Sequence, residues 1–296
     1  MKLQKNTCSI PAVVRNDITT RAGDGIKTAQ HISTGCYADI FLLTFETAGQ
    51  CILKQFRFPG IAERELTSYR ILKSHGALPM PMIFFSNPSL RYICMEHLDG
   101  QPLSRVSAPN PALASKVVDL LINCHRHCTD DTPEQAAMRW ETMYRMRQRD
   151  ILERSLTLAH SGQLEMEVYD QFRLSVSALP QILGKSVQQL SLIHGDFTPW
   201  NIMVDHEARK VTAVLDPYLA DFGDREYDLM MMNKANGRSL DLVSLYQQEI
   251  PPSAQFERKT VYYNAWNELC HYYFSDRKQS MNIAERAYEL KQVICA

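Results

Sequence analysis

Three oxygen-bearing side chains stand in one short stretch of the sequence at a spacing that suits phosphoryl transfer. An apolar run leads into His194-Gly195-Asp196, Asn201 follows five positions after the aspartate, and Asp216 ends the next apolar run. Phosphoryl transfer needs a carboxylate that orients and deprotonates the attacking hydroxyl, and oxygen ligands that hold Mg²⁺ between the phosphates. We therefore predict Asp196 as the catalytic base and Asn201 and Asp216 as metal ligands. The alternative is a hairpin whose Asp and Asn side chains only form turns.

Two kinds of hydrophobic pattern surround this stretch, and the change between them predicts two lobes. Before Gly100 the pattern indicates an antiparallel sheet with one helix, and after it the pattern is mainly helical. The sequence thus predicts an α+β, protein-kinase-like fold. Its nucleotide-binding lobe is expected at residues 1–95, its hinge at 96–100, and its catalytic and substrate lobe at 101–296. Strands are predicted at 40–45, 51–56, 82–85 and 91–95, and helices at 62–74, 112–127, 136–159 and 168–189.

The composition is that of an ordinary globular protein. The chain has 296 residues, 45% hydrophobic and 22% charged, which excludes disordered and collagen-like classes. Its 32 basic and 33 acidic residues give a net charge of −1, so no overall positive field favours nucleic acid as a partner.

The chain has no pattern typical of export or membrane insertion. No apolar run approaches the roughly 20 residues of a membrane helix. Polar residues follow the basic amino terminus where a signal peptide would be apolar. We therefore expect a cytoplasmic protein with neither a membrane nor a nucleic acid as partner, whose 8 cysteines are reduced and mostly buried.

The motif around Asp196 resembles the signature of the aminoglycoside phosphotransferase and small-molecule kinase superfamily, which is His-Gly-Asp, four residues, Asn, and a strand-end Asp. Residues 223–229, Gly-Asp-Arg-Glu-Tyr-Asp-Leu, resemble a segment of the fructosamine kinases in particular. The resemblance implies a phosphotransferase that uses ATP and Mg²⁺ and acts on a hydroxyl of a small molecule, with an amine-bearing sugar as the leading class. Residues 197–200, Phe-Thr-Pro-Trp, depart from the Leu-Trp-Ser-Gly of fructosamine kinases, which leaves the acceptor open.

The resemblance also assigns a role to Asp228 in the catalytic site. In the superfamily, the aspartate at this position buttresses the catalytic loop through hydrogen bonds. The alternative is an exposed acidic turn, since runs of charge are usually solvated.

The nucleotide site is expected in the first lobe. Lys54 lies in an otherwise apolar strand, where a lysine is costly unless it is paired or near the surface, and we predict that it binds the α and β phosphates. The superfamily places the acidic partner of that lysine where Glu65 opens the following helix, with Glu63 as the competing candidate. A surface lysine and an ordinary helix glutamate are the alternative. The other predicted nucleotide contacts are Ser33, Thr34 and Gly35 in the phosphate-covering loop, and Met95, Glu96, His97 and Leu98 in the lobe connector.

These last two segments also have simpler interpretations, as an ordinary turn and a plain linker. Two further clusters are ambiguous. Residues 124–128, Cys-His-Arg-His-Cys, hold four potential zinc ligands, but on a helix the histidines point away from the face that the cysteines share, so we predict no zinc site. Between Arg139 and Arg154 arginines outnumber acids, which is typical of a solvated helix face but would also suit the binding of an anionic substrate.

The alternative to the kinase hypothesis is a function of another class. In this alternative, the chain has the same fold but is a catalytically silent nucleotide-binding or scaffold protein. The intact set of Lys54, Asp196, Asn201 and Asp216 argues against it, because loss of catalysis usually begins with such residues. The sequence predicts no oligomeric state.

Overall fold

The computed structural model describes residues 9–107, 110–217, 219–274 and 282–295. The amino-terminal stretch considered for a signal peptide, Cys8 and the outer ends of the two predicted lobes lie outside the described residues. An antiparallel sheet comes first and a larger, mainly helical part follows, which confirms the predicted α+β, kinase-like fold. Among the helices in the described ranges, none is long and apolar enough to cross a lipid bilayer.

A five-stranded antiparallel sheet forms the first lobe, with the spatial order β1-β2-β3-β5-β4. The predicted hairpin, the helix after it and the two later strands are all confirmed, with bounds shifted by a few residues. The elements are β1 (Ile26–Thr34), β2 (Ala38–Phe45), β3 (Gln50–Phe56), α2 (Ile61–His75), β4 (Ile83–Asn87) and β5 (Tyr92–Glu96).

The alternation of side chains along β3 decides what each of them meets. Leu53 belongs to the apolar cluster on one face of the sheet. Phe56 belongs to the cluster on the other face, with Leu66 of α2. Lys54 is two positions before Phe56 and therefore points toward α2. The same alternation that buries the strand thus aims its one lysine at the helix that carries Glu65.

A helix before the sheet, α1 (Ala12–Ala22), is a correction to the prediction of a single helix in this lobe. Its sequence is largely polar, and only Val14 and Ile18 are buried. Asp17 anchors it to the sheet by accepting hydrogen bonds from the Tyr92 hydroxyl and from Asn87 Nδ2. These hydrogen bonds, with one from Arg21, lower the pKa of Asp17 to about 2.

The second lobe is mainly helical around two short sheets. Strands β6, β8 and β9 form one sheet, and β7 and β10 pair as the other. Its elements are β6 (Gln101–Pro102), α3 (Pro111–His125), α4 (Pro133–His160), α5 (Met166–Ser175), α6 (Leu179–Leu183), β7 (Ser191–Ile193), β8 (Ile202–Val204), β9 (Val211–Val214), β10 (Asp221–Gly223), α7 (Glu226–Met232), α8 (Leu242–Glu249), α9 (Phe256–Phe274) and α10 (Ile283–Cys295).

The helix predicted over 168–189 is wrong in its extent. The structure has α5, a single 3₁₀ turn and the short α6 in its place. Pro180 stands in the first turn of α6, and Gly184 ends it at φ 52°. Proline has no amide hydrogen to donate to the preceding helical turn, and a positive φ favours glycine at a helix end. Both residues therefore interrupt the predicted helix.

Candidate active site

Lys54 connects the sheet, α2 and the segment after β9. Its Nζ donates hydrogen bonds to Glu65 Oε1 at 2.8 Å, to Glu65 Oε2 at 2.6 Å and to Asp216 Oδ1 at 2.8 Å. Lys54 and Glu65 are buried, at 6% and 4% exposure. Burial alone would lower the pKa of Lys54, but the two carboxylates outweigh it and raise that pKa. Glu65 is therefore the partner of Lys54, and the competing Glu63 lines a cleft elsewhere on α2.

Asp196 and Asn201 contact each other on the loop between β7 and β8. Asn201 Nδ2 donates to the main-chain oxygen of Asp196 at 3.0 Å and to its Oδ2 at 2.8 Å. The Leu215 amide donates to the Asn201 main-chain oxygen at 2.7 Å, which brings the next residue, Asp216, beside this loop. The structure therefore brings the three residues of the predicted phosphoryl-transfer set together with Lys54.

Asp228 holds the loop that carries Asp196. Its Oδ2 accepts a hydrogen bond from the His194 amide at 2.7 Å, and its Oδ1 accepts one from the Gly195 amide at 2.8 Å. Asp228 Oδ2 also lies 3.2 Å from His125 Nε2, and Tyr246 continues this chain of contacts at 2.8 Å from His125 Nδ1. Asp228 has 0% exposure. It is therefore a buried positioning residue, and the alternative of an exposed acidic turn is wrong.

Gly195 is required in this loop for two reasons. Its φ of 77° lies in the left-handed region that favours glycine. A Cβ at this position would also lie only 2.5 Å from the Leu219 Cβ. The backbone can therefore turn from His194 to Asp196 with both preceding amides directed at Asp228.

The environment of Asp196 suits a group that accepts a proton near neutral pH. Burial, and then the charge of Asp216, raises the pKa of Asp196 to about 7. A general base works best when its pKa lies near the working pH. Burial lowers the pKa of the adjacent His194, whose Nδ1 accepts a hydrogen bond from the Asp196 amide at 3.2 Å. His194 thus helps to fix the conformation of the loop that carries Asp196.

The raised pKa predicts that Asp196→Asn stabilises the protein above neutral pH. An unfolded aspartate has a pKa of about 4. Between pH 4 and 7 the folded state keeps a proton that the unfolded state releases, so the wild type loses stability as the pH rises through this range. Asn carries no such cost. We expect the Tm of the variant to match the wild type near pH 4 and to exceed it by a few degrees at pH 8. An equal difference at both pH values, measured by calorimetry, would contradict the raised pKa.

The side-chain oxygens of Asn201 and Asp216 suit a magnesium ion as ligands. The Asn201 amide nitrogen is engaged by Asp196, which leaves its side-chain oxygen for another contact. Asp216 gives one oxygen to Lys54, and its side chain is 45% exposed. Mg²⁺ prefers such oxygen ligands, and it usually takes the remaining ones from phosphates and water. Among the described residues, no group of three or more His, Cys, Asp and Glu side chains could hold a metal.

Two donors of the predicted phosphate-covering loop are engaged within the loop itself. Thr34 Oγ1 donates to Asp39 Oδ1 at 2.7 Å, and the Gly35 amide donates to the Ala38 main-chain oxygen at 2.8 Å. Ser33 and Thr34 end β1, and Gly35 begins the turn to β2. The structure places these residues in the expected loop but gives neither the Gly35 amide nor the Thr34 hydroxyl a free hydrogen to donate.

The tip of this loop rests on the carboxyl end of α9, a contact that the sequence does not predict. Cys36 Sγ lies 3.3 Å from His271 Nδ1, and the Tyr37 and Phe274 rings meet edge to face with centroids 4.7 Å apart. Burial and the neighbouring Cys270 raise the pKa of the Cys36 thiol, and Asp196 contributes to the same effect. The loop tip therefore bridges the two lobes beside Asp196.

The predicted lobe connector is only partly free to bind a ligand through its backbone. Met95 and Glu96 end β5, and His97 and Leu98 follow. The Glu96 amide donates to the Met82 main-chain oxygen at 2.8 Å. Met95 lines a small, mainly apolar cleft together with Glu65 and Asp216. Met95 thus shares a cavity with both partners of Lys54.

A buried ionic cluster accounts for two acids of the segment 223–229. Lys259 Nζ lies 2.7 Å from Asp224 Oδ2 and 2.5 Å from Glu226 Oε2. The Tyr263 hydroxyl donates to Asp224 Oδ2 at 2.8 Å, and the Ser253 amide donates to Glu226 Oε1 at 2.6 Å. The cluster fastens α9 to the segment that ends in the loop-holding aspartate. Sequence reasoning misses Lys259, and the only local signal is a lysine four residues before a tyrosine in an aromatic-rich helix.

The Cys-His-Arg-His-Cys segment forms no metal site. Its side chains have separate partners: Cys124 Sγ donates to a main-chain oxygen of β7 at 3.3 Å, and Cys128 Sγ donates to the His125 main-chain oxygen at 3.3 Å. The His127 ring packs edge to face on His75. The predicted helical arrangement of the whole segment is wrong, because α3 ends at His125 and Cys128 forms a bridge with Ser191 of β7. The four potential ligands nevertheless point to different places, because each has its own partner.

One family of known proteins and one bacterial protein are similar in sequence to most of this chain. A sequence model of the phosphotransferase enzyme family matches residues 28–249. An uncharacterised protein of Escherichia coli K12, YcbJ, is 24% identical over 236 residues, which cover 73% of this chain and 76% of that protein.

Solved structures show the same fold at lower sequence identity. A putative fructosamine-3-kinase from Haemophilus somnus has a TM-score of 0.69 at 13% identity, covering 95% of this chain and 96% of its own. The ternary complex of APH(2")-IIa with streptomycin and ATP has a TM-score of 0.63 at 17% identity, covering 97% of both chains. Because the family match spans most of the sequence, the chain belongs to the phosphotransferase enzyme family, a family of small-molecule kinases.

Proposed function

We propose that the protein transfers the γ-phosphoryl group of ATP to a hydroxyl of a small molecule. Asp196 would accept the hydroxyl proton, Lys54 would bind the phosphates, and Asn201 and Asp216 would hold Mg²⁺. Mg²⁺, when bound, neutralises the charge that moves between the phosphates. The observation that carries the proposal is the position of Lys54 Nζ, within 2.8 Å of carboxylate oxygens of both Glu65 and Asp216.

The nucleotide side of the proposal has two supports. Lys54 is held charged and fixed by its partners, so a phosphate meets an oriented ammonium that loses little freedom on binding. The structural similarity to an enzyme solved with ATP supports ATP as the donor. Ser33, Thr34, Gly35 and the connector 95–98 remain the proposed nucleotide contacts, and the loop hydrogen bonds must open for the Gly35 amide to reach a phosphate.

An amine-bearing sugar is the leading acceptor class. The likeness to a putative fructosamine-3-kinase supports it. The segment 223–229 supports it less, because Asp224 and Glu226 pair with Lys259 in the interior and do not face a ligand. The cytoplasmic location and the exclusion of nucleic acid stay predictions from the sequence.

A transfer screen with radiolabelled ATP tests the proposal. We expect Mg²⁺-dependent labelling of at least one compound in a panel of amine-linked sugars, aminoglycosides and amino alcohols, and no labelling in excess EDTA. Binding of an ATP analogue is measured on the same protein by calorimetry. A protein that binds no nucleotide and labels no acceptor would instead favour the silent scaffold.

A further inference from the structure

The arginines of α4 divide into those that meet an acid and those that do not. Three of them, Arg139, Arg145 and Arg154, form ion pairs with acids at 2.9 to 3.2 Å. Arg149 is exposed to solvent. Arg147 forms no ion pair with any described residue, yet its side chain is half-buried. The ambiguous basic stretch therefore contains one cation that a solvated helix face does not explain.

Aromatic groups surround the Arg147 side chain. Its guanidinium carbon lies over the Tyr227 ring, 5.1 Å from the ring centroid. Tyr144, one helical turn earlier on α4, is buried at 2% exposure. A cation that is partly removed from water without a counter-ion is costly. Folding has already removed part of the water around this guanidinium and fixed its orientation. An anion that bound here would therefore have to displace less water from it.

Arg147 lines a cleft of about 750 Å³ between α2 and α4. Leu219 lines the same cleft and packs against Gly195, the residue before Asp196. Burial raises the pKa of Tyr227 to about 12, with the charge of Arg147 opposing the rise and that of Asp196 adding to it. The ring that Arg147 covers is thus within electrostatic reach of the proposed base.

The cleft also contains acids, which limits where an anion could bind. Glu63 of α2, Asp150 of α4 and Asp221 of β10 are all among its lining residues. Asp150 Oδ1 is paired with Arg154 at 3.0 Å. Glu63 stands on the α2 wall, whereas Arg147 stands on the α4 wall beside Tyr227. An anion is therefore favoured at the Tyr227 end of the α4 wall.

We propose that Arg147 is the anion-binding residue of the acceptor site, so that the preferred acceptor is a small hydroxylated molecule with a carboxylate or phosphate group. This inference rests on the proposed function and adds the charge of the substrate to it. A guanidinium donates two parallel hydrogen bonds to either group. The anion at Arg147 then orients the molecule while one of its hydroxyls is at Asp196.

Matched acceptors test the inference. Glucose is compared with gluconate and glucose 6-phosphate, and the fructose adduct of methylamine with that of glycine. We expect the anionic member to have the higher kcat/KM by about tenfold or more, because a charge-assisted hydrogen bond is roughly twice as strong as a neutral one. Gluconate and the glycine adduct test a carboxylate as the bound anion, and glucose 6-phosphate tests a phosphate. Arg147→Gln should remove the preference mainly through KM for the acceptor, and Arg147→Lys should keep part of it. Arg149→Gln is the matched control on the same helix and should keep all of it.

A binding measurement separates failure of this inference from failure of the proposed function. Gluconate and inorganic phosphate are titrated by calorimetry into protein without ATP, with the Tm of each variant as a check on folding. If transfer occurs but neutral acceptors are as good, or if Arg147→Gln keeps the preference, the inference is overturned and the kinase function stands. If no acceptor is labelled, the kinase function fails. In that case, the anion site is upheld if the wild type binds gluconate or phosphate and Arg147→Gln does not. The anion site is overturned if the wild type binds neither anion.

Discussion

Asp196→Asn is expected to lower kcat by orders of magnitude while the affinity for ATP stays within about tenfold. Asn keeps the shape of the side chain and still accepts a hydrogen bond from Asn201, but it loses the charge and the capacity to take a proton. A base matters chiefly in the transition state, so the loss should appear in turnover. Initial rates of phosphoryl transfer and calorimetric titration of an ATP analogue measure the two effects on the same preparation.

The control for this substitution is Asp119→Asn. Asp119 is exposed on α3, so the same chemical change there should leave both quantities as in the wild type. If Asp196→Asn kept turnover within a few-fold, Asp196 would not be the base. If it lost nucleotide binding and turnover together, Asp196 would act through the nucleotide and not through the acceptor.

Asp216→Ala should abolish Mg²⁺-dependent transfer. Asp216 is the one carboxylate of the proposed metal pair, and the charge it would supply to Mg²⁺ cannot come from Asn201. Its φ of 61° is unusual for a residue other than glycine, and Asn tolerates this conformation better than Ala. Asp216→Asn therefore separates loss of charge from backbone strain, and we expect nearly the same loss of activity. Transfer rates measured from low to high Mg²⁺ concentration are the test.

Lys54→Met tests the same site through its predicted contact with the phosphates of ATP. It removes the ammonium and should weaken ATP binding, whereas Asp216→Asn keeps Lys54 paired with Glu65 and should leave the Tm almost unchanged. Removing Lys54 leaves a buried carboxylate without its partner, so a lower Tm is expected for that variant. Unchanged turnover in both variants would show that this constellation is not the reaction centre.

The sequence predicts the reaction centre better than it predicts the surroundings. Lys54 is recognisable because the alternation of side chains along its strand places a lysine on a buried face that is otherwise apolar. Asp196 and Asn201 are recognisable because a short loop fixes their separation. Local spacing of this kind survives folding, so it already determines that Asn201 meets Asp196, whereas the contact of Lys54 with Asp216 joins segments 162 residues apart.

The missed features depend on contacts between distant segments. Nothing near Lys259 in the sequence indicates that two acids of another segment surround it. Likewise, Arg147 and Arg149 differ only in what packs against them, which is decided by Tyr227 from a different helix. The contact of Tyr37 with Phe274 joins the first lobe to the last part of the chain. Such pairings follow from the tertiary fold, and no local periodicity carries them.

The buried cluster of Asp224, Glu226 and Lys259 affects the order in which these residues can be substituted during evolution. Loss of the lysine alone would leave two carboxylates unpaired in the interior, at a cost that is typically several kcal/mol. Loss of one acid would leave Lys259 paired with the other acid, and this pair carries no net charge. Descendants are therefore expected to lose an acid before they lose the lysine, and to keep Lys259 for as long as either acid persists.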